Sequence, residues 1–293
     1  MAPIALAAGP VSWGVDFADA PGNAPYADVL DGIASAGVEW LELGPVGYLP
    51  SDPEAVRREL RRRGLSSVGT FVFDDLHDPD AARRVCHAAE RALGAIVATE
   101  GRLIVLIDRP DAARAATAGR ADAAVPLARG AWDAMVDTVR QIAVRAAERG
   151  VQAVFHPHAG SYVEFEREVQ RLLADVPSDE LGLCLDTGHA LYAGDDPANL
   201  IRRYGDRIEH LHLKDVAADV RDRGEDFWSA VAHGAFCPIG GGMLDIAAVR
   251  DALAAIGYNG FATVEQDRRE DTAGTPADDL RGSVAYLRAA GIG

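Results

Sequence analysis

The sequence predicts a (β/α)8 barrel: eight parallel strands closed into a ring and wrapped by helices. Three observations lead there. Short apolar runs recur eight times along 293 residues. Polar loops and amphipathic helical stretches separate them, and glycine often closes a helix just before the next run. Strands that alternate with helices imply a parallel sheet, because parallel neighbours need a long crossover between them. Eight such units in a chain of this length fit a closed barrel. An open doubly wound sheet is the alternative, but no Gly-x-Gly-x-x-Gly follows the first run.

In chain order, the expected strands are Ile4–Ala8 with Val11–Trp13, Val38–Leu43, Leu65–Phe73, Leu103–Ile107, Val151–His156, Leu181–Asp186, Ile208–Leu213 and Phe261–Glu265. Asp52-Pro53, Asp78-Pro79 and Asp196-Pro197 each pair an N-capping carboxylate with a proline suited to the first helical position. Gly37, Gly64, Gly150 and Gly257 close helices, each followed at once by strand residues. Trp132, Met135, Val136, Val139, Ile142 and Ala143 fall on one helical face. Two strand-to-helix loops are long. Asp108 to Arg129 is rich in Ala, Asp and Arg; Val216 to Met243 carries Phe227, Trp228, His233, Phe236 and Gly240-Gly241-Gly242. Both should emerge on the face where barrels build substrate sites, with the aromatic residues packing over the site. Residues 1–293 are read as one barrel domain.

Composition narrows the partners. The 48% hydrophobic and 25% charged content is that of an ordinary globular protein. A formal net charge of −16 argues against nucleic acid and against an anionic membrane surface. The apolar start lacks a preceding basic residue, and no 18-residue apolar run occurs, so neither a signal peptide nor a membrane span is expected. Cys86, Cys184 and Cys237 form no CxxC or even framework, which favours reduced thiols in a cytoplasmic protein. A homo-oligomer is compatible with this composition. Lys214 is the only lysine among 29 basic residues. Arginine replaces lysine readily on a solvated surface and poorly where a compact ammonium is needed, so this position is a functional candidate.

The chemistry gathers between Leu181 and Asp215 and at two other strand ends. His156 or His158, Asp186, His212 and Glu265 end the fifth to eighth strands, and parallel strands bring such ends to one face. Imidazole and carboxylate together suit Mn, Co, Zn or Mg. His189 is placed to orient substrate or a ligand. His210 lies two residues before His212, on the same side of the strand, and reads as a core or second-layer histidine.

Leu-Asp-Thr-Gly-His (185–189), His-Leu-His-Leu-Lys-Asp (210–215) and Val-Glu-Gln-Asp (264–267) resemble the xylose-isomerase-like sugar isomerase/epimerase superfamily. Pro10-Val11-Ser12-Trp13, Gly-Val-Glu-Trp-Leu-Glu-Leu-Gly at 37–44 and the glycine-rich loop before Asp245 are most similar to its inosose dehydratase branch. The resemblance implies Asp186, His212 and Glu265 as ligands of a divalent ion, Mn or Co first, and a polyol or sugar substrate. Many epimerases of the superfamily carry Glu-Asn-His at the fifth strand end; here His156-Pro157-His158 stands there, which resembles the histidine-rich strand end of the dehydratases. The implied reaction removes water from a cyclic polyol ketone. In it, Glu265 or a histidine such as His158 takes the α-proton, and His189 or Lys214 assists the leaving oxygen. Glu42, Trp13, Phe71 and Trp228 are the expected substrate contacts. A keto-sugar isomerase or 3-epimerase and a lyase of 3-keto-glycosides are the alternatives. An endonuclease on this scaffold is disfavoured by the acidic balance, and a non-catalytic sugar-binding protein is the remaining class.

Overall fold

A computed structural model describes residues 4–268 and 274–293. Eight parallel strands close into a barrel: β1 (Ala5–Ala8), β2 (Trp40–Glu42), β3 (Ser66–Asp74), β4 (Leu103–Asp108), β5 (Gln152–Phe155), β6 (Gly182–Asp186), β7 (Ile208–Leu213) and β8 (Phe261–Val264). Closure comes from β1 pairing with β8, Ala5 opposite Phe261 through Ala8 opposite Val264. All eight expected strands are present. The exception within them is Val11–Trp13: Pro10 to Trp13 forms a 3-10 turn instead. Proline there has no N–H for a ladder, and Gly14 in the left-handed region ends the turn.

The helix signals hold. Asp52, Asp78 and Asp196 accept backbone N–H groups from the turns they cap. Gly37, Gly64, Gly150 and Gly257 all have φ between 69° and 75°. Side chains divide by strand period. One set, including Val29, Ile33, Ile96, Trp132 and Ile142, fills the layer between barrel and helices. The alternate set, including Ala7, Val68, Phe71, Val105, Val154 and Cys184, fills the barrel interior.

Register then sets the site. Asp186 of β6 pairs with His212 of β7, and His212 pairs with Thr263 of β8. Their interior side chains therefore share one level near the open end of the strands. The long loop after β7 begins with a two-residue antiparallel ribbon, Asp215–Val216 against Phe236–Cys237. It holds two short helices, Ala218–Arg221 and Phe227–Ala232. Among the described residues no helix is long and apolar enough to cross a membrane.

Candidate active site

At the C-terminal ends of the strands lies a cavity of about 570 Å³, including its open mouth. Its polar end is formed by Asp16, His156, His158, His212, Glu265 and Asp267. Phe71, Phe73, Ile107, Phe227 and Trp228 form much of its apolar wall.

Asp186 divides its work between its two oxygens. Oδ1 accepts from Gly188 N and His189 N at 2.7 and 2.9 Å, capping the helix Thr187–Ala193. Oδ2 faces the site, 3.3 Å from His156 Nε2 and 3.8 Å from His212 Nδ1. One ligand atom from each of His156, Asp186 and His212 lies within 4.8 Å of the others. The Nδ1 atoms of His156 and His212 are buried without a hydrogen-bond partner. His212 Nδ1 does lie 3.0 Å from Glu265 Oε2, but off the direction a hydrogen bond requires. Buried polar atoms left this way cost about 1–3 kcal/mol each unless something else meets them. Two imidazoles with inward carboxylates fit a divalent cation.

Lys214 is fully buried, and its ammonium lies among the acids: 2.6 Å from Glu265 Oε1, 3.0 Å from Asp267 Oδ1 and 3.4 Å from Asp186 Oδ2. The backbone brings it there, since Lys214 N donates to Thr187 Oγ1 and Lys214 O accepts from the same hydroxyl. Its stem crosses Gly188, where a Cβ would come within 2.6 Å of Lys214 Cγ. Glycine is required there for clearance.

His189 accepts from Ala159 N at Nδ1 (3.2 Å), and its Nε2 lies 3.1 Å from Lys214 Nζ. His158 stacks on it with ring centroids 3.9 Å apart. Because His158 Nδ1 faces the Ala159 carbonyl oxygen at 2.9 Å, Nδ1 carries the proton and Nε2 keeps its lone pair. Burial, with His156 and Lys214 nearby, pushes His158 down to about 3. Burial would raise Glu265, but Lys214 and His212 outweigh it and hold the group well below the usual carboxylate range. Asp267 moves the other way, raised by burial against the pull of Lys214.

The expected substrate contacts divide. Phe71 and Trp228 line the cavity. Trp13 does not, because its ring packs under the helix Tyr26–Ser35, where a Cβ on Gly32 would meet it at 2.7 Å. Glu42 also lies off the cavity wall. It is buried deeper in the barrel, with Oε1 2.7 Å from His210 Nε2 and 2.8 Å from His212 Nε2. Asp267 and Asp16 were not foreseen. For Asp267 a signal existed, since it follows Glu265 by two residues and a strand-like period turns both the same way. Asp16, in an irregular stretch, had none.

A family profile described as xylose isomerase-like TIM barrel matches residues 30–290. The chain belongs to that family. The rhizopine catabolism protein MocC of Rhizobium meliloti is 32% identical over 275 residues, 90% of this chain and 82% of its own. An inosose dehydratase from Geobacillus kaustophilus is 31% identical over 282 residues, 91% of this chain and 88% of its own. A solved D-allulose 3-epimerase from Methylomonas sp. superposes with a TM-score of 0.74 at 16% identity, covering 99% of this chain and 100% of that one. At that identity the likeness is one of fold.

Proposed function

We propose that this enzyme is a metal-dependent dehydratase acting on a cyclic polyol ketone of the inosose type. The observation that carries the reading is the end of β5. His156, not a carboxylate, meets Asp186 and His212 there, so the pair of opposed carboxylates expected of a two-base epimerase is missing. The relative named inosose dehydratase supports the same choice.

His156, Asp186, His212 and Glu265 would hold the divalent ion, Mn or Co being the favoured choice. Such an ion supplies Lewis-acid polarisation of a ketone oxygen, which acidifies the neighbouring C–H. The remaining work falls to side chains. His158 lines the cavity, keeps an unprotonated Nε2 and is suited to take the α-proton. Asp267, whose proton burial helps retain, is suited to give one to the departing β-hydroxyl. Environments that push two neighbouring groups in opposite directions are the usual source of an acid and a base in one site. His158 and Asp267, with His189 between them, have ligand atoms within 4.8 Å of one another. That spacing matches an α-hydrogen and a β-hydroxyl on adjacent carbons. Lys214 holds Asp267 and Glu265 in place and offers a further N–H to the oxygen that leaves.

The reading is tested with a panel of inososes, ketoses and 3-keto-glycosides, each incubated with Mn- or Co-loaded protein and followed by mass. An inosose should lose one water. A product of unchanged mass would mark an epimerase, and a released aglycone would mark the glycoside lyase.

A further inference from the structure

We propose that Glu42 is a positioning residue: it fixes His212 with its proton on Nε2, so that Nδ1 is the atom offered to a divalent cation. The proposal rests on the reading that this site takes such a cation. Three atoms converge on Glu42 Oε1: His210 Nε2 at 2.7 Å, His212 Nε2 at 2.8 Å and Thr263 Oγ1 at 2.6 Å. A carboxyl oxygen carries at most one proton, so at least two of the three must donate to it. An ionised carboxylate accepts from all three, which puts a proton on Nε2 of both rings. That leaves Nδ1 as the nitrogen of His212 open to a cation. It is buried, has no hydrogen-bond partner and lies 3.8 Å from Asp186 Oδ2, on the side where the candidate ligands meet.

The barrel is shaped for this reach. In the strand order, β1 and β8 lie between β2 and β7, so Glu42 must span two strands to touch His212. The interior residue of β1 is Ala7, which leaves room, and that of β8 is Thr263, which supplies the third hydrogen bond. His210 occupies the other side of Oε1, so the carboxylate is fixed from below as well. Were Glu42 only a partner for a core histidine, His210 would suffice and nothing would require the bond to His212. A metal-ligating imidazole whose second nitrogen donates to a carboxylate is held in one tautomer and made a better ligand, and removing such a partner commonly lowers metal affinity 10–100-fold.

The test begins on the metal-free wild-type protein and needs no substrate. Long-range 15N–1H correlation spectra should show a proton held on His212 Nε2. Calorimetric titration with Mn should then give a dissociation constant that rises about 10–100-fold in Glu42→Gln. Thr263→Val, a milder change, should keep the Nε2 proton and weaken binding less, and it serves if Glu42→Gln folds poorly. An Nε2 of His212 without a proton in the wild type would overturn the proposal, as would Mn binding of wild-type strength in folded Glu42→Gln, or no Mn binding by the wild type. The dehydratase reading is judged separately, by product mass, so the two can fail independently.

Discussion

Lys214 shows best what a single residue contributes here. Its rarity in the sequence pointed to function, and its ammonium does sit among Glu265, Asp267 and Asp186 with no exposure. Arginine keeps the charge, but its broad planar head must fit where a slender stem now crosses Gly188. Lys214→Arg should therefore lower kcat/KM at least about tenfold, roughly 1.4 kcal/mol of transition-state stabilisation. Steady-state kinetics at wild-type level in that variant would make the lone lysine incidental. Gly188→Ala approaches the same contact from the other side. The added methyl group should destabilise the protein by about 1–3 kcal/mol in denaturant titrations, as overpacking does. Glu42 and Trp13 mark the limit of legibility at this scale. A strand end says which end of the barrel a side chain occupies, but not what it meets. The histidines that hold Glu42 lie 168 and 170 residues away in sequence. At Trp13 the expected strand is a turn, and the ring packs against Gly32.

Among the elements, the excursion from Val216 to Met243 does most to shape the site. Its aromatic content signalled packing over the cavity. Phe227 is buried, with its ring 5.4 Å from His158 and 6.1 Å from His189, while Trp228 stands at the rim. What the sequence did not disclose is how the loop is anchored, because a two-residue ribbon has no periodicity to read. Asp215 provides the anchor. Its Oδ1 accepts from Val216 N and Leu244 N, and its Oδ2 from Gly240 N and Gly242 N, all at 2.8–3.0 Å. A Cβ at Gly242 would lie 2.4 Å from Asp215 Oδ1, which accounts for glycine there. In Asp215→Asn one acceptor oxygen becomes a donor facing two N–H groups. The expected loss is at least about 2 kcal/mol, with faster proteolytic cleavage between residues 217 and 243. Unchanged stability and cleavage would show that the loop is held by its aromatic packing alone.

For the molecule as a whole, the barrel was the most legible feature. Eight repeats of one pattern reinforce each other, so strand boundaries drift by a residue or two without changing the topology. Ile208–Leu213 agrees end for end. The site was legible as a set of strand ends, because parallel strands carry them to one face, whereas its pairwise contacts depend on closure. Charge points the same way at both scales. The chain carries a net −16, and the residues lining the cavity include Asp16, Glu265 and Asp267, with Lys214 the one ammonium paired to the last two. Phosphorylated keto-sugars should therefore compete at least about tenfold more weakly than their uncharged counterparts at low salt, as inhibition assays would record.

The central claim, that four strand ends converge into one divalent-ion site, is tested most directly by titrating Mn into chelator-stripped protein. The wild type should take up one tightly bound equivalent per chain. Asp186→Ala and His212→Ala should lose that binding while retaining a cooperative melting transition. Stoichiometric, wild-type-strength uptake by both variants would contradict the claim.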